Sequence, residues 1–558
     1  MRKNIIFRHI INRIKIDKKE CLGRKMNGNK KNIAIIILSI ALLASGFVSM
    51  YLAFGPRIYP PPPVPPHNAI IVGTPEGPTD LDPIKSWDSD SNNVIEQVCE
   101  GLYMTNLTDP NLGLVPMLAA DYGMWDVSAK HLTIPLRQGA LFHDGTNFNA
   151  SSVRWTFERI NYFINASGMP WILNETISKI HSLWEFPNGT SILGPINPVS
   201  INSEYSVTIN LRGPYAILES LLCYVTAFML SPQSTPKFEY ISTAYGKIVG
   251  TGPFVYDYYI ADTEVKFHRW DNYWRLPAFF EILIISVIND ATRRYEAIKS
   301  HTVDYLIGSP PSFISSDYSD PTLTYRSDLP SLSYCYLGMN NQKINKTWRQ
   351  AISYAINYTY IIEELKNGNG FRSNGPLAPN FPMYDPTIKA ATYNVTKARE
   401  IVVNMGFGDI GWTDAQWQAA SFATWNYTYY IGHDFREDLA VLLQYNLNQI
   451  GVTVIAEGWS FADFIGIINF PTLEWMTKGF FWIGWGPDYL DPFNMLDPLF
   501  NPASGANSAQ VNDTWLNAKM ASALSETDDN ARNDIYKSIQ WYMAARGFFH
   551  ALSFILSH

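Results

Sequence analysis

The chain has 558 residues, 47% apolar and 16% charged, enough for two or three packed domains and unlike an intrinsically disordered protein. Its charge is split: the first 66 residues carry 12 Lys/Arg against Asp17 and Glu20, leaving 30 basic and 48 acidic residues downstream. A body with that acidic excess and no basic stripe excludes nucleic acid as a partner, because phosphate binding needs a positive field.

The first predicted element is Ile33 to Phe54, an uncharged apolar run of about 22 residues. As a helix it spans a hydrocarbon core of roughly 30 Å. The Lys/Arg-rich segment 1–32 precedes it, so the positive-inside rule keeps that end in the cytoplasm and sends the C-terminal body outside. The run exceeds the apolar region of a cleaved signal, although small residues at Ala41 to Gly46 leave cleavage open. The expectation is a retained single-pass signal-anchor in the cell membrane. Segment 55–67 is Pro-rich and reads as an extended, semi-rigid spacer. Asn-x-Ser/Thr triplets recur from Asn106 to Asn512, a mild enrichment that suits an exported surface.

Beyond the spacer, β-rich runs at 69–74, 131–136, 205–211 and 280–288 alternate with helical patterns at 149–159, 291–299, 346–362, 395–405, 434–450 and 529–545. Strands interleaved with helices predict an α/β body. Asn149 and Asn394 read as helix N-caps, and Gly451 as a helix-to-strand crossover. Cys99, Cys223 and Cys335 lie beyond the anchor, with spacing that fits neither a zinc site nor a disulfide scaffold. A Cys99–Cys223 bridge and buried free thiols both remain open.

Several segments carry local chemistry. In FHDGTNFNASSVRW, Asp144-Gly145 makes a tight turn before a capped helix, and His143 reads as structural. GTGPF (250–254) supplies glycines for a sharp turn before a strand, at a hinge or in a plain loop. Arg293 and Arg294 of DATRRYEAIKS are expected to face solvent. In GFFWIGWGPDYLDP (479–492) an aromatic strand ends at Gly-Trp-Gly-Pro, placing Asp488 among Trp482, Trp485 and Tyr489. A carboxylate among aromatic rings is costly to bury without a cation, so Asp488 reads as a ligand-cation receptor or as a helix-capping aspartate.

TDLDP (79–83), VIEQVCEGLY (94–103), LRQGALFHDG…SSVRWTFER (136–159), GTGPF, DATRRYEAIKSHTVDY (290–305), YLGMNNQ…WRQAISYAIN (336–357) and WIGWGPDYLDPFNMLDPLF (482–500) occur in this order. Together they resemble the family-five extracellular solute-binding proteins of ATP-driven importers for peptides and nickel chelates, over about Asn68 to Met543. The resemblance implies a two-lobed periplasmic-binding-protein-like α/β fold with an extra domain in the first lobe, here preceded by one transmembrane helix. The first lobe would comprise 68–105 and 211–303, completed by 498–558, with the extra domain at 106–210 and the second lobe at 304–497. Relatives run some tens of residues past the helix ending near Met543, which implies a shortened or truncated first lobe.

In peptide-binding relatives the aspartate of the matching Gly-Trp-x-x-Asp motif pairs with the peptide's α-ammonium. Carried over, Asp488 receives the ligand amine, with Trp485 and Gly486 walling the pocket and Trp482 and Tyr489 beside it. Glu100 and Tyr103 would edge the cleft, and Tyr336 and Asn340 would present backbone groups to an extended ligand. The expected ligand is an oligopeptide, or an oligosaccharide by aromatic stacking; no His cluster adjoins Asp488 to favour a nickel chelate. The expected partners are permease subunits, with ATPases on separate chains, since no Walker motif occurs here. No cofactor, metal or catalytic residue is assigned, because neither a Gly-x-Ser-x-Gly elbow nor a His-Glu-x-x-His helix is present to support a cell-surface hydrolase.

Overall fold

The computed structural model describes residues 67–552 apart from 87, 107, 110–111, 166–182, 187–189, 245, 308–331, 369, 432–433, 470–477, 505 and 547–548. The predicted anchor at 33–54 lies outside the described residues. Among those described, no helix is long and apolar enough to cross a membrane.

One five-stranded sheet is built from β1 (His67–Thr74), β2 (Phe254–Ile260), β3 (Glu264–Arg269), β4 (Phe280–Val287) and β5 (Tyr305–Leu306), in the spatial order β5-β1-β4-β3-β2. β1 runs parallel to β4 and β5, while β2 and β3 add antiparallel at the other side. A second sheet joins β6 (Tyr334–Met339), β7 (Ala423–Tyr430), β8 (Val452–Trp459), β9 (Lys478–Trp485) and β10 (Phe549–Leu552), in the order β8-β7-β9-β6-β10. Here β7 is parallel to β8 and β9, and β6 is antiparallel to β9 and β10. Residues 124–210 form a four-stranded antiparallel sheet of their own, and its interior is continuous with the core of the first large sheet.

The helices that matter for the site are α1 (Ser89–Val98), α2 (Ala150–Asn165), α3 (Ala291–Lys299), α4 (Lys346–Ala355), α5 (Asp434–Asn448), α6 (Pro492–Phe500), α7 (Thr514–Ser525) and α8 (Asp529–Arg546). Asn149 accepts from the Ser151 N–H at 2.9 Å to start α2, as its side chain predicts. Gly451, at φ +71°, turns the chain from α5 into β8.

Several of the motif segments are joints between elements. Asp82 of TDLDP is buried and grips Arg159 of α2 through two bonds, at 2.9 and 2.5 Å. His143 hydrogen-bonds the Gly252 carbonyl at 2.9 Å, which ties the DG turn to GTGPF. Burial pushes that imidazole down to about 4, so it stays neutral in this structural role. The GTGPF glycines serve close approach: a Cβ on Gly250 would lie 2.2 Å from the Val98 carbonyl oxygen at the end of α1.

Three expectations need correction. Tyr305–Leu306 still pairs with β1, and Asp304 accepts the Ile71 N–H at 2.9 Å, so the crossing to the second lobe comes later than 304. Segment 498–558 does not simply complete the first lobe. Ala216 N–H bonds Leu524 of α7 at 2.9 Å on the first-lobe side, but Gln350 of α4 holds Ala545 at 3.0 Å and delivers β10 to the open edge of β6. Arg294 is buried and donates to the Ile288 carbonyl at 2.7 Å, because α3 packs that face inward. Of the two alternatives left open for the cysteines, the free state is the one seen: Cys99, Cys223 and Cys335 are free thiols.

Candidate ligand-binding cleft

The two large sheets meet at the carboxyl ends of their parallel strands, the edge at which open α/β sheets leave room for ligands. The first contributes Thr74 and the turn through Glu76 and Pro78; the second contributes Tyr430, Trp459 and Trp485. Burial raises the Tyr430 phenol, and the charge of Glu76 adds to the shift across the gap.

Asp488 lies just beyond β9. Its N–H donates to Asn494 Oδ1 at 2.7 Å, and the Asn494 amide returns a bond to Asp488 Oδ2 at 2.9 Å. The Trp485 indole N–H donates to the Asn494 carbonyl at 3.0 Å. Asn494 is held by the start of α6, where Asp491 caps the Phe493 N–H at 2.9 Å. Asp491 in turn takes two bonds of 2.7 Å from the buried Arg532 of α8. The capping role therefore belongs to Asp491, and Asp488 is left to point elsewhere. Its Oδ1 accepts from the Tyr224 hydroxyl at 3.3 Å, and that hydroxyl accepts from Asn92 of α1 at 3.3 Å. Tyr224 and Asn92 lie on the first-lobe side, so this chain of bonds crosses the cleft. Burial raises the Tyr224 phenol far above its ordinary range, the Asp488 charge adds to it, and the hydroxyl remains a donor.

Beside this junction a pocket opens beneath α1, with about 520 Å³ of empty space that includes its open mouth. Val72, Leu283 and Ile285 form an apolar floor, and Glu76, Asp90 and Glu96 line it with carboxyls. Burial pushes Glu96 up to about 7. It also pushes Asp90 up to about 6, against the lowering bond from the Thr74 hydroxyl at 2.9 Å. On the opposite lobe, the Arg436 guanidinium lies 3.3 Å from the Tyr430 ring centre and Lys366 lies 3.9 Å from that of Phe435.

The family model of bacterial extracellular solute-binding proteins, family 5, matches residues 113–507. The chain belongs to that family. This solute-binding protein is 24% identical to Heme-binding protein A of Haemophilus influenzae over 85% of each chain. It is 26% identical to the Glutathione-binding protein GsiB of Pectobacterium atrosepticum, over 83% of this chain and 84% of that one. Its fold matches the dipeptide binding protein of Pseudoalteromonas sp. SM9913, solved with Met-Leu, at a TM-score of 0.71 and 19% identity over 87% and 94% of the two chains. The two-lobed periplasmic-binding-protein-like fold follows, as does a body that works outside the cytoplasm. The family consists of solute-binding components of importers, not of enzymes.

Within this solute-binding protein the sequence-derived site residues divide. Asp488, Trp485 and the exposed Gly486 sit together at the junction, with Tyr489 buried directly behind them. Trp482 points to the other face of the second sheet, 5.2 Å from the Phe435 ring in that lobe's core. Tyr336 is buried against Tyr334 and Phe481, and Asn340 is buried in a turn where it accepts the Gln342 N–H at 3.0 Å. Glu100 is 3% exposed and its carboxylate accepts from Tyr273 at 2.6 Å, Thr251 at 2.7 Å and Trp274 at 2.8 Å. Both of its oxygens are engaged within the first lobe, which it braces. Tyr103 is equally buried, its hydroxyl taken by the Gly123 N–H at 2.8 Å. Sequence reasoning missed Tyr224, Asn92 and Asn494, whose types are common in loops and whose roles exist only once the lobes are juxtaposed.

Proposed function

We propose that this protein captures oligopeptides between its lobes and hands them to a membrane permease powered by separate ATPase chains. The observation that carries the reading is Asp488, a carboxylate at the lobe junction oriented by Tyr224 and Asn494. Both donors hold its carboxylate at the junction, a charged acceptor of the kind that suits an incoming α-ammonium. The Arg436–Tyr430 pair at the same edge supplies a positive counterpart for a ligand carboxylate. A zwitterionic ligand bridging both would draw the lobes together by domain closure. Glutathione, named for the Pectobacterium relative, is itself a short peptide with both charges, which fits the same arrangement.

Oligosaccharide stacking is less well served. Trp482 is occupied by the second-lobe core, which removes one of the aromatic faces a sugar would stack on. The run 33–54, with its basic flank, supports a retained anchor that tethers the exported body to the membrane through the Pro-rich spacer.

The test is thermal unfolding of the full-length protein in detergent against di- and tripeptides, glutathione, heme and oligosaccharides. A ligand at 100 times its Kd stabilises by about 2.7 kcal/mol, a readable shift. Peptides should produce it, and Asp488→Asn should weaken their binding by about thirtyfold or more, as expected on losing one member of a shielded charge pair. A shift with heme alone or glycans alone would sink the peptide reading.

A further inference from the structure

The pocket beneath α1 has a chemistry of its own. Its floor is aliphatic, from Val72 of β1 and Leu283 and Ile285 of β4, while α1 and the turn after β1 line it with Asp90, Glu96 and Glu76. Among the described residues, no Lys or Arg lines it. Asp90 has a partial partner in the Thr74 hydroxyl. Glu96 has no hydrogen-bond or ion-pair partner among the described residues, and Lys85, a cation just ahead of α1 in the chain, is taken by Asp80 at 2.7 Å. Glu96 is half-buried at the pocket wall, and burial lifts its carboxyl to about 7. Leaving a carboxyl unpartnered in such a place costs stability in the empty protein, and a ligand cation is the group that would offset it.

The pocket also adjoins the amine site. Tyr224, which bonds Asp488, is close enough to Glu96 for that carboxyl's charge to raise its phenol further, after burial and Asp488. We infer that the pocket is a second subsite for an aliphatic cation, an ammonium or guanidinium on a methylene stem. The stem lies on Val72, Leu283 and Ile285, and the head meets Glu96 and Asp90. Resting on the peptide reading above, the cation is a basic side chain of the same peptide whose α-amine meets Asp488; a free diamine is the other source of this chemistry.

Calorimetry on the full-length protein in detergent separates the cases. Tripeptides of alanine with one lysine, placed in turn at each position, are compared with the matched norleucine peptides, which keep the stem and lose the charge. One lysine peptide should bind about tenfold or more tightly than its norleucine partner. In Glu96→Gln that advantage should fall to within about twofold while norleucine affinity holds; Asp90→Asn, expected to reduce it as well, serves as the independent variant should Glu96→Gln misfold. Equal affinity of lysine and norleucine peptides in the unaltered protein overturns the subsite and leaves the peptide reading standing. If no peptide binds but cadaverine does, and Glu96→Gln abolishes it, the pocket is real, the peptide reading fails and the source is a free diamine. Binding of neither peptides nor cadaverine overturns both.

Discussion

Asp488 and Asp491 lie three residues apart and do opposite work. Asp491 is sealed by Arg532 and spends both oxygens on structure, whereas Asp488 is steered to the lobe junction by an asparagine and a tyrosine. Removing Arg532 would strand a buried carboxylate, so Arg532→Met should cost about 3–5 kcal/mol in a urea titration. Glu96 predicts the reverse behaviour. Its carboxyl titrates near 7 when folded against 4.5 ordinarily, so the folded state holds the proton more tightly. Stability from that group is present below about 4.5 and is lost as pH rises through 7. Glu96→Gln should therefore stabilise the empty protein by roughly 1–3 kcal/mol at pH 8 and change little at pH 4.5. A flat difference across that range would contradict the assignment.

At the scale of elements, α1 decides much of the site. Its start, Ser-Asp-Ser-Asn-Asn, is composed of residues that favour turns, and the helical patterns read from the sequence do not include it. It forms because Asp88 caps the Ser91 N–H at 2.8 Å and because Val94, Ile95 and Val98 find a core to enter. Its last turn is locked by the backbone of GTGPF. Gly250→Ala, whose new Cβ would sit 2.2 Å from the Val98 oxygen, should destabilise by about 3 kcal/mol. Gly145→Ala, at φ +83° with open space around it, should cost only about 1–2 kcal/mol. Chemical denaturation of the two variants side by side checks the contrast between close approach and backbone strain.

For the whole molecule, the bond from Tyr224 to Asp488 is a seam between the lobes. Tyr224→Phe keeps the ring in its core and removes the hydroxyl. Peptide affinity should drop by about tenfold, since a hydrogen bond to a charged group contributes about 1.5–3 kcal/mol, with smaller ligand-induced compaction by X-ray scattering. Unchanged affinity would exclude the seam from closure.

The α/β class, the strands at 69–74, 131–136, 205–211 and 280–288, the Asn149 cap and the Gly451 crossover were legible from residue order, because each depends on periodicity or on a side chain bonding its own neighbourhood. The Gly-Trp-x-x-Asp segment is likewise visible in residue order, while a ligand-binding role for Asp488 is the proposal made above. What residue order could not decide was which polar groups are spent: Glu100 on three donors, Tyr103 on Gly123, Asp491 on Arg532, each partner distant in the chain. Nor could it show Asn92, Tyr224 and Glu96 gathered beside Asp488, or β10 joining the second sheet. Local bonding is written within a few residues, but burial and electrostatic neighbourhood belong to surfaces that exist only after the lobes have packed.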